Sequence, residues 1–438
     1  MAKGQINVEQ MGSALVTEVT QIEASRDHLI GFALDQPRPD ARTLGHTLTV
    51  RGWVLGRERW VREVEIIHRD TVIASGKVRQ VRLDLETLFP GNEQSAQCGF
   101  TLAVGLLGLP PECTFIATAI LDDGLRVPFT AFVVRRHLLG TGYRLAPTPV
   151  LVTSLGRTGT TYLMRLLLKH PEIVGVDAYP YETRLAGYWA HLMKVLADPA
   201  DHERSAHPDN FQYNFHWAGH NPYSTPGHPA SGWLSAEYLS HTVCFAQSST
   251  RAFYLNLSRE SGCVGAKYFV EKANPGLTSR LLRELYPESR EIFLVRDFRD
   301  MLSSILAFNK RRGYPAFGRE SAGSNQEFIA NLGMSAHHLL DDWLERGKTS
   351  TLIRYEDLLE DPELTLTGLF EYLGVGINSV MLSDMIRDAN IDNPELVVHK
   401  TSKTASMSIG RWERDLDLTT LGACTVAFGD PLRAFGYT

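Results

Sequence analysis

PVLVTSLGRTGTTYLMRLLLKH, residues 149–170, decides the fold of most of this chain. Val150, Leu151, Val152 and Leu155 make a short apolar run that reads as a buried strand, and Leu163, Leu166 and Leu167 then recur at helical spacing. The period changes across Gly156–Thr161. Gly156 and Gly159 admit backbone angles closed to other residues, so successive N–H groups can converge on an anion at the positive end of a helix starting near Thr160. Arg157, Thr158, Thr160 and Thr161 add charge and hydroxyl donors. A nucleotide triphosphatase loop would read GxxxxGK[ST], with its lysine on the β and γ phosphates. Here Thr160 follows Gly159 and the one cation precedes it, which suits a smaller, less charged group and disfavours an ATPase or GTPase.

The 438 residues suffice for two or three domains, and a net charge of −6 argues against nonspecific nucleic-acid binding. Five cysteines, Cys98, Cys113, Cys244, Cys263 and Cys424, lack CxxC spacing, so neither a zinc site nor a disulfide framework is expected. No run approaches a membrane span and the first residues carry no signal-peptide core, so a cytoplasmic enzyme is the expectation.

Residues 1–44 read as an N-terminal extension with a short helix before the DQPRPDAR connector. From 45 to 137, six short segments alternate or cluster apolar residues: TLTVRGWVLG, VREVEIIHR, TVIASGKVR, CGFTLAVGL, CTFIATAIL and VPFTAFVVRR. Asp123-Gly124 marks a hairpin between the last two. An antiparallel β-sandwich follows. Trp53 and Trp60 read as core aromatics before they read as a sugar platform, and His68 and His137 as satisfied or surface groups. Residues 138–148 form the linker. From 149 to 438, strands at IVGV (173–176), GAKYFV (265–270), EIFLV (291–295) and TLIRY (351–355) alternate with helical stretches, which predicts an α/β fold with a mostly parallel sheet flanked by helices. An insertion at about 198–263 holds several histidines and aromatics. Their spacing fits no metal pattern, so the segment reads as a cover over an acceptor, with His216, Trp217 and His220 as candidate contacts.

EIFLVRDFRDMLSSILAF, residues 291–308, repeats the strand-corner-helix plan. Arg296 stands at the strand end and Ser304 eight residues later, where guanidinium and hydroxyl can hold one phosphate; Asp300 caps or orients.

Together these stretches resemble the sulfotransferase family that uses 3′-phosphoadenosine 5′-phosphosulfate, closest in motif style to bacterial and tyrosylprotein-type members. SLGRTGTTYL resembles the 5′-phosphosulfate loop, RDFRDMLSS the 3′-phosphate segment, RYEDLLEDPE (354–363) the strand-helix block downstream, and SIGRW (408–412) the C-terminal nucleotide-binding stretch. The sandwich is similar to small modules on some bacterial sugar-modifying and group-transferring enzymes, through GWVLG, RLDL and CGF.

The resemblance implies that Arg157, Thr158, Gly159, Thr160 and Thr161 bind the 5′-phosphosulfate, and that Arg296 and Ser304 bind the 3′-phosphate. It implies that Ser408, Gly410 and Arg411 close over the nucleotide, with Trp412 near the adenine. Lys272, in VEKANP, matches a lysine that follows a strand and faces the transferring group. Glu182 in YETR matches a catalytic glutamate and Arg184 its neighbouring arginine; His216 or His220 is the alternative base. No metal is implied. The expected products are a sulfated acceptor, whether glycan, lipid, polyketide-like or peptide, and adenosine 3′,5′-bisphosphate. Two other readings stand beside this one, a nucleotide-dependent kinase and a noncatalytic ligand-binding protein. The sandwich favours a glycan or macromolecular contact.

Overall fold

The computed structural model describes residues 14–43, 46–197, 237–390, 400–402 and 404–437. It contains two compact units, Met1–Gly142 with His191–Phe245, and Tyr143–Ala190 with Ala246–Thr438.

In the first unit two antiparallel sheets face each other. One has the order β3-β1-β9-β8-β5-β6, from β1 (Ala14–Gln21), β3 (Arg42–Thr43), β5 (Val61–His68), β6 (Thr71–Lys77), β8 (Glu112–Leu121) and β9 (Arg126–Arg136). The other has β2 (Leu29–Gln36), β4 (Thr47–Gly56) and β7 (Gly99–Gly105) in the order β2-β4-β7. Alternate residues of both sheets fill one core, where Phe32 and Phe129 meet at 5.4 Å between ring centroids. All six segments expected as strands are strands. The DG hairpin closes β8 onto β9, with Gly124 at φ 87.

Residues 14–43 depart from the expectation. Instead of an extension they supply β1, β2 and β3, with the expected short helix present as a 3-10 turn at Glu23–Asp27 between β1 and β2, and β1 pairs with β9 from Ala14↔Arg136 to Gln21↔Thr130. A short, partly alternating run such as ALVTEVTQ does not separate helix from strand by itself; a partner more than a hundred residues away does. RLDL falls in a short helix, α1 (Leu83–Leu88). Trp53 packs against Phe89 and Trp60 is 54% exposed, whereas His68 is buried with Nδ1 on the Thr114 carbonyl at 2.9 Å.

The second unit carries a five-stranded parallel sheet, order β11-β12-β10-β13-β14. Its strands are β10 (Thr148–Ser154), β11 (Ile173–Val174), β12 (Tyr268–Ala273), β13 (Arg290–Val295) and β14 (Ser350–Arg354). β10 is central and almost wholly buried, as its continuous apolar run requires of a strand covered on both faces. Helix α2 (Thr160–Leu167) follows it and buries Leu163, Met164, Leu166 and Leu167. Phe298–Arg312 follows β13 as a helix, and Asn325–Arg346 and Leu418–Ala434 complete a second apolar cluster around Phe298, Phe328 and Phe428. β12 runs three residues beyond the expected strand, so Lys272 lies inside it. Leu239–Glu260, read from sequence as part of an irregular insertion, is a helix of 22 residues. Among the described residues no helix is long and apolar enough to cross a membrane.

Candidate active site along the C-terminal edge of the parallel sheet

Parallel strands in register bring every following corner to the same edge. Val152 pairs with Lys272 on one side of β10 and with Ile292 on the other, and Val295 pairs with Arg354. The edge therefore presents, in spatial order, the segment after β11 with Glu182, the end of β12 with Lys272, the loop after β10 with Arg157, the corner after β13 with Arg296, and Tyr355 after β14. Neighbouring strands lie about 4.8 Å apart. Ligands of open parallel sheets bind outside this edge, where crossovers leave in opposite directions.

The loop after β10 is held open by backbone geometry. Gly159 has φ 96, and a Cβ there would stand 2.4 Å from the Tyr355 ring. Arg157 also adopts a left-handed conformation, φ 68, which turns its carbonyl toward Arg296 Nη1 at 3.1 Å while its own Nε reaches Ser304 Oγ at 3.2 Å. The two corners thus touch each other. Thr160 and Thr161, half-buried in the first turn of α2, have hydroxyls with no hydrogen bond among the described residues. Thr158 is turned inward: it is fully buried and donates to the Leu155 carbonyl at 2.8 Å.

Arg296 is 4% exposed. Its Nη2 donates to the Ser408 carbonyl at 2.6 Å, its guanidinium lies 4.9 Å from the Tyr355 ring, and its Nε has no hydrogen-bond partner among the described residues. Among the described residues its hydrogen bonds do not include Ser304, which meets Arg157 and, at 3.2 Å, Thr401 Oγ1. Burial first, and then the positive charges of Arg296, Arg411 and Arg312, push the Arg157 guanidinium down to about 10. Cations gathered this closely, one with a buried N–H left over, are a grouping whose chemistry suits an anion.

The C-terminal stretch is fastened by Asp300. Its carboxylate accepts the N–H of Gly410 at 2.7 Å and of Trp412 at 2.9 Å, and burial raises its pKa despite these bonds. Asp300 therefore orients, while the helix cap expected of it falls to Asp297, which accepts the Arg299 N–H at 2.9 Å. Arg411 is bound to Asp415 at 2.6 Å and to Thr401 Oγ1 at 3.1 Å, and Trp412 carries the Arg299 guanidinium 4.0 Å from its ring. The Ser408 hydroxyl donates to Ala405, so only its carbonyl addresses Arg296. Glu356, in the RYED block, accepts the Asp297 N–H at 3.1 Å and thereby sets the β13 corner.

At the other end of the edge, Glu182 is half-buried and forms an ion pair with Arg184 at 3.5 Å. Lys272 Nζ donates to the Pro180 carbonyl at 2.7 Å; burial lowers its pKa, with Glu182 opposing and Arg184 assisting. His216, Trp217 and His220 lie outside the described residues.

Sequence reasoning missed Tyr355, Phe308 and Phe317. Phe308 supports the Arg157 guanidinium at 4.9 Å and that of Arg312 at 4.6 Å, and the Phe317 ring lies over Gly156. Tyr355 stood within a quoted block, and its place just after a parallel strand was the available signal.

The model of the sulfotransferase family matches residues 149–379, more than half of the chain. No curated protein matches. Among solved structures the chain is similar to the mouse sulfotransferase SULT7A1 complexed with PAP, at 11% identity and TM-score 0.37 over 67% of this chain and 87% of that one. It is similar to the sulfotransferase domain from the curacin biosynthetic pathway, at 14% identity and TM-score 0.35 over 67% and 99%. A third is the sulfotransferase STF9 from Mycobacterium avium, at 13% and 0.32 over 68% and 79%. The family match spans the β10 loop, the β13 corner and the strands between them, and on that match the chain belongs to the sulfotransferase family.

Proposed function

We propose that this sulfotransferase takes its sulfuryl group from 3′-phosphoadenosine 5′-phosphosulfate and gives it to an acceptor hydroxyl. The observation that carries the donor is Arg296, a buried guanidinium with an unpartnered Nε–H, one strand away from a glycine loop that lacks the triphosphatase lysine. A ligand with anionic groups at both ends of an adenosine fits two cationic corners on adjacent strands. When bound, the donor supplies an activated sulfuryl group with adenosine 3′,5′-bisphosphate as the leaving part.

The chain's own residues divide the work. Arg157, with Gly159 and the hydroxyls and first N–H groups at Thr160 and Thr161, holds the 5′ end and offsets the charge that gathers there. Arg296 and Ser304 hold the 3′-phosphate, and the carbonyl at Ser408, the Gly410 turn, Arg411 and Trp412 shape the cover over the nucleotide. Thr158 supports the loop from beneath. Glu182 accepts the acceptor's proton on a carboxylate oxygen, which at neutral pH is typically worth roughly 10²–10⁴-fold in rate. Lys272 supplies positive charge between Glu182 and Arg157, and Arg184 restrains Glu182.

Calorimetry tests the donor: adenosine 3′,5′-bisphosphate should bind without added metal and more tightly than ATP with Mg²⁺, and the reverse order would favour a kinase. A screen of hydroxylated glycans, lipids, polyketide-like compounds and peptides with labelled donor identifies the acceptor. We further propose residues 45–137, joined by the preceding strands, as an accessory module with a glycan or macromolecular contact at exposed Trp60; unchanged acceptor KM in Trp60→Ala would remove that contact. Five free cysteines suit a reducing, cytoplasmic setting.

A further inference from the structure

Two carboxylates are buried in the parallel sheet, and they are held differently. Glu291 on β13 is fully buried and ion-paired with Arg283 at 3.0 Å and Arg346 at 2.9 Å, the usual way to keep such a charge inside. Glu271 on β12 is 3% exposed and is held by hydroxyls. Tyr254 donates at 2.7 Å and Thr183 at 3.0 Å to Oε1, Tyr286 at 3.4 Å to Oε2, and the Ala186 N–H adds a backbone bond. Burial raises its pKa against these donors. Both tyrosines are fully buried, and Tyr254 stacks on Phe269 at 4.0 Å, so their hydroxyls are fixed before the carboxylate meets them.

Thr183 and Ala186 flank the start of α3 (Leu185–Ala197), and Thr183 Oγ1 also accepts the Leu185 N–H at 3.2 Å. The next strand residue, Lys272, takes the Pro180 carbonyl. Consecutive residues of β12 therefore grip the chain on either side of Glu182. That stretch has cause to be gripped. Tyr181 and Arg184 both sit at left-handed angles, φ 59 and 57, strained conformations that persist only where neighbours enforce them.

We propose that Glu271 is a positioning residue for the acceptor side: it fixes Thr183 and the first turn of α3 so that Glu182 is presented at the sheet edge beside Lys272. This rests on Glu182 as the base, and the test separates the two claims. Glu271→Gln keeps the volume and replaces one accepting oxygen with a donor that faces a tyrosine hydroxyl. Tyr254→Phe removes a partner while leaving the carboxylate.

In the full chain with adenosine 3′,5′-bisphosphate bound, both variants should speed amide hydrogen exchange in peptides covering 179–188 and leave those of β10 and β13 unchanged, with nucleotide affinity preserved. Sulfate release from the labelled donor to water should fall on the order of tenfold to a hundredfold in kcat with donor KM unchanged, the scale of a small misplacement of a reacting group. Glu182→Gln/Glu271→Gln should be no slower than Glu182→Gln alone. Unaltered exchange at 179–188 overturns the proposal. So does exchange that rises uniformly along the chain with loss of nucleotide affinity, which would make Glu271 a general core residue. If Glu182→Gln itself keeps full turnover, the base assignment fails while the exchange data still decide the positioning.

Discussion

On the β10–β13 side of the sheet edge, burial and the nearby charges of Arg296 and Arg411 lower the hold of Arg157 on its proton, and Arg296 is hydrogen-bonded to backbone carbonyls beside an aromatic ring, with its charge felt by Asp300 and Glu356. On the β11–β12 side, Lys272 and Glu182 influence each other, Glu182 is paired with Arg184, and the surrounding network is built from hydroxyls. The first region is poised to gain an anion, because a ligand relieves repulsion already present. The second is nearly balanced in charge, and its precision lies in how the backbone is held. Affinity should therefore be governed by the first region and turnover by the second.

Glu182→Gln should break that division most visibly, with turnover down about 10²–10⁴-fold and nucleotide affinity kept. A parallel loss of calorimetric affinity would mean that the two regions are one. Next comes Arg296→Ala, expected to weaken adenosine 3′,5′-bisphosphate binding by about 1.5–3 kcal/mol, the scale of a charged hydrogen bond. Unchanged affinity would strip the 3′-phosphate role from the β13 corner.

Gly159→Ala is smaller in scope. The left-handed backbone and the nearby Tyr355 ring should together cost about 1–3 kcal/mol, read as a lower denaturation midpoint. Adding Tyr355→Ala should recover the steric part alone, and full recovery would show that the backbone angle carries no strain.

The mildest signature is in pH. Burial lowers the Lys272 pKa, so its ammonium, the form the proposed mechanism uses, is lost as pH rises sooner than an ordinary lysine's would be. The alkaline limb of the turnover profile should begin below the usual lysine range and move upward in Lys272→Arg, whereas nucleotide affinity should fall with the Arg157 guanidinium, at about 10, and be unmoved by Lys272→Arg.

Much of this was legible in single stretches of chain. A strand, its corner and its helix lie within about twenty consecutive residues, so apolar period in 149–170 and 291–308, with glycine placement in the first and the charged corner RDFRD in the second, suffices to describe both cationic corners. Their meeting was inferable only because parallel strands with right-handed crossovers deliver successive corners to one edge. The separate roles of neighbouring side chains were not legible. Thr158 and Thr160 look alike in sequence, yet one points into the core and the other into the first turn of a helix.

The sequence by itself determined the six later strands of the sandwich, the parallel character of the second sheet and the two arginine-bearing corners that follow its strands, because each rests on periodicity and local turn chemistry. Tertiary structure alone decided that β1–β3 join the sandwich, that Lys272 ends inside a strand, that Tyr355 covers Gly159, and that Glu271 reaches Thr183. Each of those joins residues tens to more than a hundred positions apart, and no local pattern specifies which distant surface a side chain will meet.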